Sequence, residues 1–144
     1  NEALSGCASK DIKAMVIAYE PVWAIGTGLS PTPDEAQKMH HFCKAYIAST
    51  KQLDIAETPP IIYGGSITPL NVASFVQQHD VDGVLVGGAS LQASSFTQII
   101  KEVINKFPNE INNYYEAFIG GGSVFLELLK LIETDKIKIN GRNF

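Results

Sequence analysis

Three short apolar runs, at residues 14–19, 61–63 and 83–86, each lead through a loop into a segment with helical features. This repetition limits the fold more than any other feature. Ala14, Met15, Val16, Ile17, Ala18 and Tyr19 show no alternation of polar and apolar residues, as expected of a strand covered on both faces. Parallel strands need a long crossover, usually a helix, to return the chain to the same edge. Strand, loop and helix three times over therefore predicts an α/β fold of parallel βα units.

The helix signals follow the strands. Residues 1–13 read as a helix end and a loop, with Gly6 as a C-terminal stop. Thr32-Pro33-Asp34-Glu35 predicts a helix start: Thr32 caps, Pro33 takes the first turn, and Glu35 completes a capping box. Ala36, Met39, Cys43, Tyr46 and Ile47 then share one helical face. Thr68-Pro69 repeats the cap-then-proline start, with a helix expected to about Gln78. A last helix is expected from about Ser95, with Phe96, Ile99, Ile100, Val103 and Phe107 as its apolar stripe. Beyond Pro108, residues 110–119 and 124–132 read as helical and 136–140 as a short strand. Gly120, Gly121 and Gly122 read as a linker or part of a mistranslated extension rather than a phosphate loop, since no strand clearly precedes them.

Composition removes several function classes. The 144 residues give room for one domain, and 45% of them are hydrophobic, as in an ordinary globular protein. A net charge of −4 supplies no basic stripe for nucleic acid. No apolar run reaches the roughly 18 residues of a membrane span. Cys7 and Cys43 form no CxxC and read as isolated, reduced thiols. With His40, His41 and His79 they show no metal-ligand spacing. The start, Asn1-Glu2-Ala3, reads as an interior cut with no signal pattern.

The chemistry-bearing stretch follows the first strand. Glu20 sits at the strand end, and Pro21, Val22, Trp23, Ala24, Ile25, Gly26, Thr27 and Gly28 form an uncharged loop with two glycines. On residue types alone this is either a base under a lid or a solvated glutamate at a strand exit. A base that removes a proton next to a carbonyl needs an affinity near neutral pH. A carboxylate reaches that by desolvation. Trp23, Ile25 and Leu85 are the expected apolar walls.

These residues resemble the catalytic-base strand and mobile loop of the triosephosphate isomerase family. Ile61-Ile62-Tyr63-Gly64-Gly65-Ser66 is similar to the family's seventh strand and loop. The stretch from Asp80 through Gly83, Gly87 and Gly88 to Ser90 is similar to its eighth. The three motifs occur in family order over residues 15–107. The resemblance implies a (β/α)8 barrel, of which this sequence carries the last three βα units, and a family length of about 250 residues. Residues 1–107 are then the barrel portion and residues 108–144 an extension.

The resemblance also implies roles. Glu20 is the proton-shuttling base. Gly26, Ser66, Gly87 and Gly88 bring backbone N–H groups to a substrate phosphate. The loop from Pro21 to Gly28 closes over the site onto Tyr63 and Ser66. The implied reaction interconverts dihydroxyacetone phosphate and glyceraldehyde 3-phosphate, in glycolysis and gluconeogenesis, without cofactor or metal. A cytoplasmic homodimer is implied, with no nucleic-acid or membrane partner. The family's electrophilic histidine and its substrate-binding asparagine and lysine have no counterpart in these 144 residues, so the chain alone is expected to be inactive. Two other readings stand beside this one: another phosphate-binding βα-barrel enzyme, and a non-catalytic barrel remnant. The loop after Glu20 argues against the first.

Three departures from the family pattern are visible. The position whose N–H meets the lid tyrosine is Pro31, which has no N–H. A family arginine expected to pair with Asp80 is Lys44. The residue before the second strand, commonly arginine, is Pro60.

Overall fold

In a computed structural model of the chain, residues 4–24, 27, 29–105, 110–111 and 138–139 are described. Strands β1 (Ile17–Tyr19), β2 (Ile61–Tyr63) and β3 (Gly83–Val84) form a three-stranded sheet in that order. Both pairings are parallel, with Ile17 opposite Ile61, Tyr19 opposite Tyr63 and Tyr63 opposite Val84. The expected βα order is therefore present. β2 matches its apolar run, whereas β1 and β3 are shorter than theirs. Helix α1 (Ser9–Lys13) ends just before the first run, and pairing starts only at Ile17. After Val84 a single bond continues the ladder, from Leu85 N–H to the Tyr63 carbonyl at 2.9 Å.

Helix α2 (Pro33–Lys51) starts as its sequence dictates. The Glu35 N–H donates to Thr32 Oγ1 at 3.2 Å, and the Thr32 N–H donates to the Glu35 carboxylate at 2.7 Å. These bonds satisfy two of the donors that every helix start leaves open. The helix ends at Gln52, which takes the left-handed conformation at φ 53°. The buried face differs from the apolar reading. Ala36, His40, Ile47 and Ala48 are buried, whereas Met39 and Tyr46 are about two-fifths exposed. His40 takes the core position because its ring packs edge-on against Tyr19, at 5.6 Å between centroids, and tilts toward Tyr63 at 6.5 Å.

The second helix departs from expectation. Helix α3 is only Val72–Val76. Thr68 does not cap it through its side chain. Instead the Asn71 side chain folds back: its Oδ1 accepts from the Thr68 N–H at 2.8 Å, and its Nδ2 donates to the Ser66 carbonyl at 2.9 Å. Asparagine competes well for nearby backbone groups, and here it holds residues 66–71 as a turn. Helix α4 (Ala93–Ile104) buries Ile99, Ile100 and Ile104; Phe107 lies outside the described residues.

Two buried clusters join these elements. The larger contains Ala36, Tyr63, Ile67, Val72, Phe75, Val81 and Ile99. The smaller contains Ile12, Ile47 and Ile61. Each fully buried aliphatic or aromatic side chain of this size contributes roughly 1.5–3 kcal/mol. Tyr63 is central: its ring stacks on Phe75 at 4.4 Å and 5°. Further along, β4 (Glu110–Ile111) pairs in parallel with β5 (Lys138–Ile139) as a separate two-stranded sheet. Glu110 and Ile111 are thus strand where helix was expected, because they find a backbone partner at 138–139. The strand expected at 136–140 is present at Lys138–Ile139. Gly120, Gly121 and Gly122 and residues 124–132 lie outside the described residues.

Candidate active site at the strand ends

Parallel pairing places the C-terminal ends of β1, β2 and β3 on one edge of the sheet. Glu20 follows β1 directly, Gly64-Gly65-Ser66 follow β2, and Gly87 and Gly88 follow β3 after two residues. In parallel α/β proteins this edge is where sites are built. The Gly64 N–H donates to the Tyr19 carbonyl at 2.8 Å, which continues the ladder past the strands and brings Glu20 beside the Gly64 loop.

The glycines of this edge do different work. A Cβ on Gly64 would lie 2.7 Å from Cγ of Glu20, so the missing side chain leaves the space in which Glu20 rests. A Cβ on Gly65 would coincide with the phenol end of Tyr63. At Gly87 and Gly88 a Cβ would meet nothing within 4 Å. Their lack of a side chain is not demanded by packing, and both border open space together with the exposed Ser66.

Glu20 itself is exposed. The desolvation expected from Trp23 and Leu85 is not present in this structure. Trp23 is 55% and Leu85 38% exposed, and Glu20 remains exposed with them. Pro21 is buried, and Val22–Ala24 form a single 3-10 turn closed by the Ala24 N–H on the Pro21 carbonyl at 2.8 Å. Thr27 Oγ1 donates to the Ala24 carbonyl at 3.1 Å and accepts from the Leu29 N–H at 3.2 Å. The apolar side chains of Val22 and Leu29 stand largely in solvent. Ile25, Gly26 and Gly28 lie outside the described residues.

Tyr63 is fully buried, and its hydroxyl lies 3.2 Å from the hydroxyl of Ser30. Sequence reasoning did not single out Ser30. The available signal was the hydroxyl next to Pro31, a residue unable to donate. Gly64 and Gly65 were quoted only as part of a motif; the side chain beside Gly64 is that of distant Glu20, and the one beside Gly65 is Tyr63 of the same motif.

Behind this edge lies an ionic cluster around Asp80. Gln37 Nε2, His41 Nδ1 at 3.1 Å and His79 Nδ1 at 3.2 Å meet its carboxylate. The Asp80 N–H donates to Gln37 Oε1 at 2.9 Å, and its carbonyl lies 3.2 Å from His40 Nδ1. A carbonyl only accepts, so His40 carries its proton on Nδ1. Lys44 contacts Asp82 at 2.9 Å and Asp80 only at 3.9 Å. Its main partner is thus Asp82 rather than the expected Asp80, because two histidines and a glutamine already occupy the Asp80 oxygens. Asp82 in turn accepts from the Ile61 N–H at 2.6 Å, which ties the cluster to the start of β2. All three histidines are thus drawn to one aspartate. Among the described residues no group of three or more His, Cys, Asp or Glu is placed to hold a metal ion.

The cluster is expected to make the fold acid-sensitive. Burial pushes the Asp80 carboxyl up, but hydrogen bonds from Gln37, His79 and His41 and the Lys44 charge outweigh it and hold Asp80 below the ordinary value. A folded value below the unfolded one stabilises the fold above about pH 4 and loses that contribution as pH falls through the folded value. Burial likewise holds His40 low, so its contribution is lost as pH falls below about 6.5. Thermal melts are expected to fall in two stages on acidification. In Asp80→Asn the lower stage should shrink, leaving the share of Glu35 and Glu57, whose carboxyls hydrogen bonds also hold low, and the upper stage should remain. A variant curve parallel to wild type below about pH 4 would show that Asp80 is not the group responsible.

Comparison with known proteins agrees with the motifs. A family model described as triosephosphate isomerase matches residues 1–103. The triosephosphate isomerase of Protochlamydia amoebophila is 45% identical over 101 residues, 70% of this chain and 38% of that protein. That of Geotalea uraniireducens is 48% identical over 98 residues, 68% and 39%. That of Endomicrobium trichonymphae is 54% identical over 86 residues, 60% and 34%. The chain spans about two fifths of the length of these curated relatives. The three-stranded parallel sheet is consistent with part of the α/β barrel that such relatives form. No helix among the described residues is long and apolar enough to cross a membrane. The chain belongs to the triosephosphate isomerase family.

Proposed function

We propose that this chain supplies the base and part of the phosphate site of a triosephosphate isomerase. The observation that carries this reading is the arrangement at one sheet edge: Glu20, Ser66, Gly87 and Gly88 follow three adjacent parallel strands. Family membership supports the assignment of roles. Glu20 removes a proton from the carbon beside the substrate carbonyl and returns it to the neighbouring carbon. This interconverts dihydroxyacetone phosphate and D-glyceraldehyde 3-phosphate. Ser66, Gly87 and Gly88, with Gly26, hold the phosphate through backbone N–H groups. Close approach of an anion to the backbone favours glycine, and the open space at 87 and 88 agrees with that need.

Glu20 in the open needs cover before it becomes an effective base. Water exclusion by a closing loop raises the affinity of a carboxylate for protons. The exposed Val22, Trp23 and Leu29 are apolar surface suited to such a closure. Residues 1–107 carry this chemistry and residues 108–144 form an extension outside it. The active form is a homodimer.

Titration with inorganic phosphate, followed by NMR, tests the phosphate cup. Amide shifts are expected at Ser66, Gly87 and Gly88. Gly87→Val should abolish them, with melts checking that the variant is folded. Shifts confined to residues near lysines would refute the cup.

A further inference from the structure

We infer that Asn71 is a positioning residue: its side chain holds the Ser66 carbonyl and so keeps the loop after β2 set for an anion. The inference deepens the proposed isomerase reading and rests on it for the phosphate, whereas the grip on Ser66 stands on geometry alone. The partners fix which way the Asn71 amide faces. The Thr68 N–H only donates, so the atom that meets it at 2.8 Å is Oδ1. The Ser66 carbonyl only accepts, so the atom that meets it at 2.9 Å is Nδ2. An asparagine that merely served a helix start would need an accepting bond alone. The Nδ2 bond is additional, and it reaches back five residues onto the loop after β2.

This side chain works from a firm base. The Asn71 carbonyl accepts from the Ser74 N–H at 3.1 Å and from Ser74 Oγ at 2.7 Å, and the Asn71 N–H donates to the Thr68 carbonyl at 3.2 Å. Val72 and Phe75, just beyond, are buried in the larger cluster. Packing does not hold the outer turn, where Leu70 is 98% exposed. Buried Ile67 anchors the chain in place. The Nδ2 bond sets the rotation of the peptide between Ser66 and Ile67, which a buried side chain alone leaves free. At the other end of the loop, the Gly64 N–H is tied to the Tyr19 carbonyl. Between these two grips lie the N–H groups of Gly65 and Ser66, which meet no acceptor among the described residues. Open donors fixed from both sides need no reordering when an anion arrives.

NMR of the full 144-residue chain tests this with two readouts. One is the order of the Ser66 amide without ligand; the other is the Kd of inorganic phosphate, read at Gly87 and Gly88. In the wild type the Ser66 order parameter is expected near the rigid value of about 0.85. Asn71→Ala should lower it toward about 0.6. The same variant should weaken phosphate roughly three- to tenfold, the worth of one net hydrogen bond. Asn71→Asp separates the two side-chain bonds. An ionised carboxylate still accepts from the Thr68 N–H but cannot donate to the Ser66 carbonyl. It should stay folded, as melts check, and loosen Ser66 as Asn71→Ala does. Its added charge opposes any anion, so Ser66 order is the readout there. A rigid Ser66 in Asn71→Asp, or unchanged phosphate affinity in Asn71→Ala, would each overturn the inference. No phosphate shift in the wild type would instead refute the phosphate cup, and Ser66 order in Asn71→Asp would still decide whether Asn71 holds the loop.

Discussion

Turnover of triose phosphate by the 144-residue chain alone is expected to be indistinguishable from the uncatalysed rate. Three parallel strands do not close a barrel that needs eight, and the described sheet stops at β1 and β3. Glu20 is exposed. None of the three histidines is available as an electrophile at this edge, since all three are engaged with Asp80. Adding a polypeptide with the first five βα units of a relative, such as the Geotalea uraniireducens protein, is expected to bring turnover. In that assembly Glu20→Gln should lower the rate by roughly 10²–10⁴-fold, the usual worth of a general base. A coupled assay with and without the companion decides the matter. Appreciable turnover by the chain alone, abolished by Glu20→Gln, would show the site to be complete as it stands.

Gly65→Ala is expected to be the most destabilising added methyl among the described glycines. Its Cβ would fall on the phenol end of Tyr63, which is boxed in by Phe75. Overpacking of this kind costs about 1–3 kcal/mol. If the ring leaves the core instead, the loss approaches the roughly 3–5 kcal/mol of deleting a buried aromatic. Gly87→Ala provides the contrast. Its methyl meets no atom within 4 Å, so its cost should fall well below that of Gly65→Ala. Gly64→Ala falls between them. The atom in its way is Cγ of the exposed Glu20, which can rotate aside. It should therefore spare the melting temperature and displace the carboxylate. Denaturant melts of the three variants give the order. Equal stabilities for Gly65→Ala and Gly87→Ala would mean that Tyr63 does not occupy the space under residue 65.

The strands and the α2 start were legible because their causes are local. An unalternating apolar run, and a Thr-Pro-Asp-Glu cap, act within a few residues. The motif order along the sheet edge was legible too, since parallel strands carry it with them. What was not legible depends on partners far off in sequence. His40 is a core residue only because Tyr19 and Tyr63 converge on it. The expected Thr68 cap is absent, and the local side-chain bonds are made instead by Asn71, which accepts from the Thr68 N–H and donates to the Ser66 carbonyl. Lys44 found Asp82 because His41, His79 and Gln37 had already filled Asp80. The openness of Glu20 is a property of loop position, which residue types do not encode.

The stack of Tyr63 on Phe75 has a consequence for how this protein can diverge. One flat ring touches a short helix on one side and a loop serine at its tip. Residues in α3 that make no contact with the sheet edge are thus mechanically in line with the loop. A substitution at Phe75 that merely repacks the interior would tilt the ring and shift its hydroxyl. Drift in that helix is then felt as altered timing of the loop before it is felt as lost stability, and lineages would be expected to change positions 30, 63 and 75 together rather than one at a time.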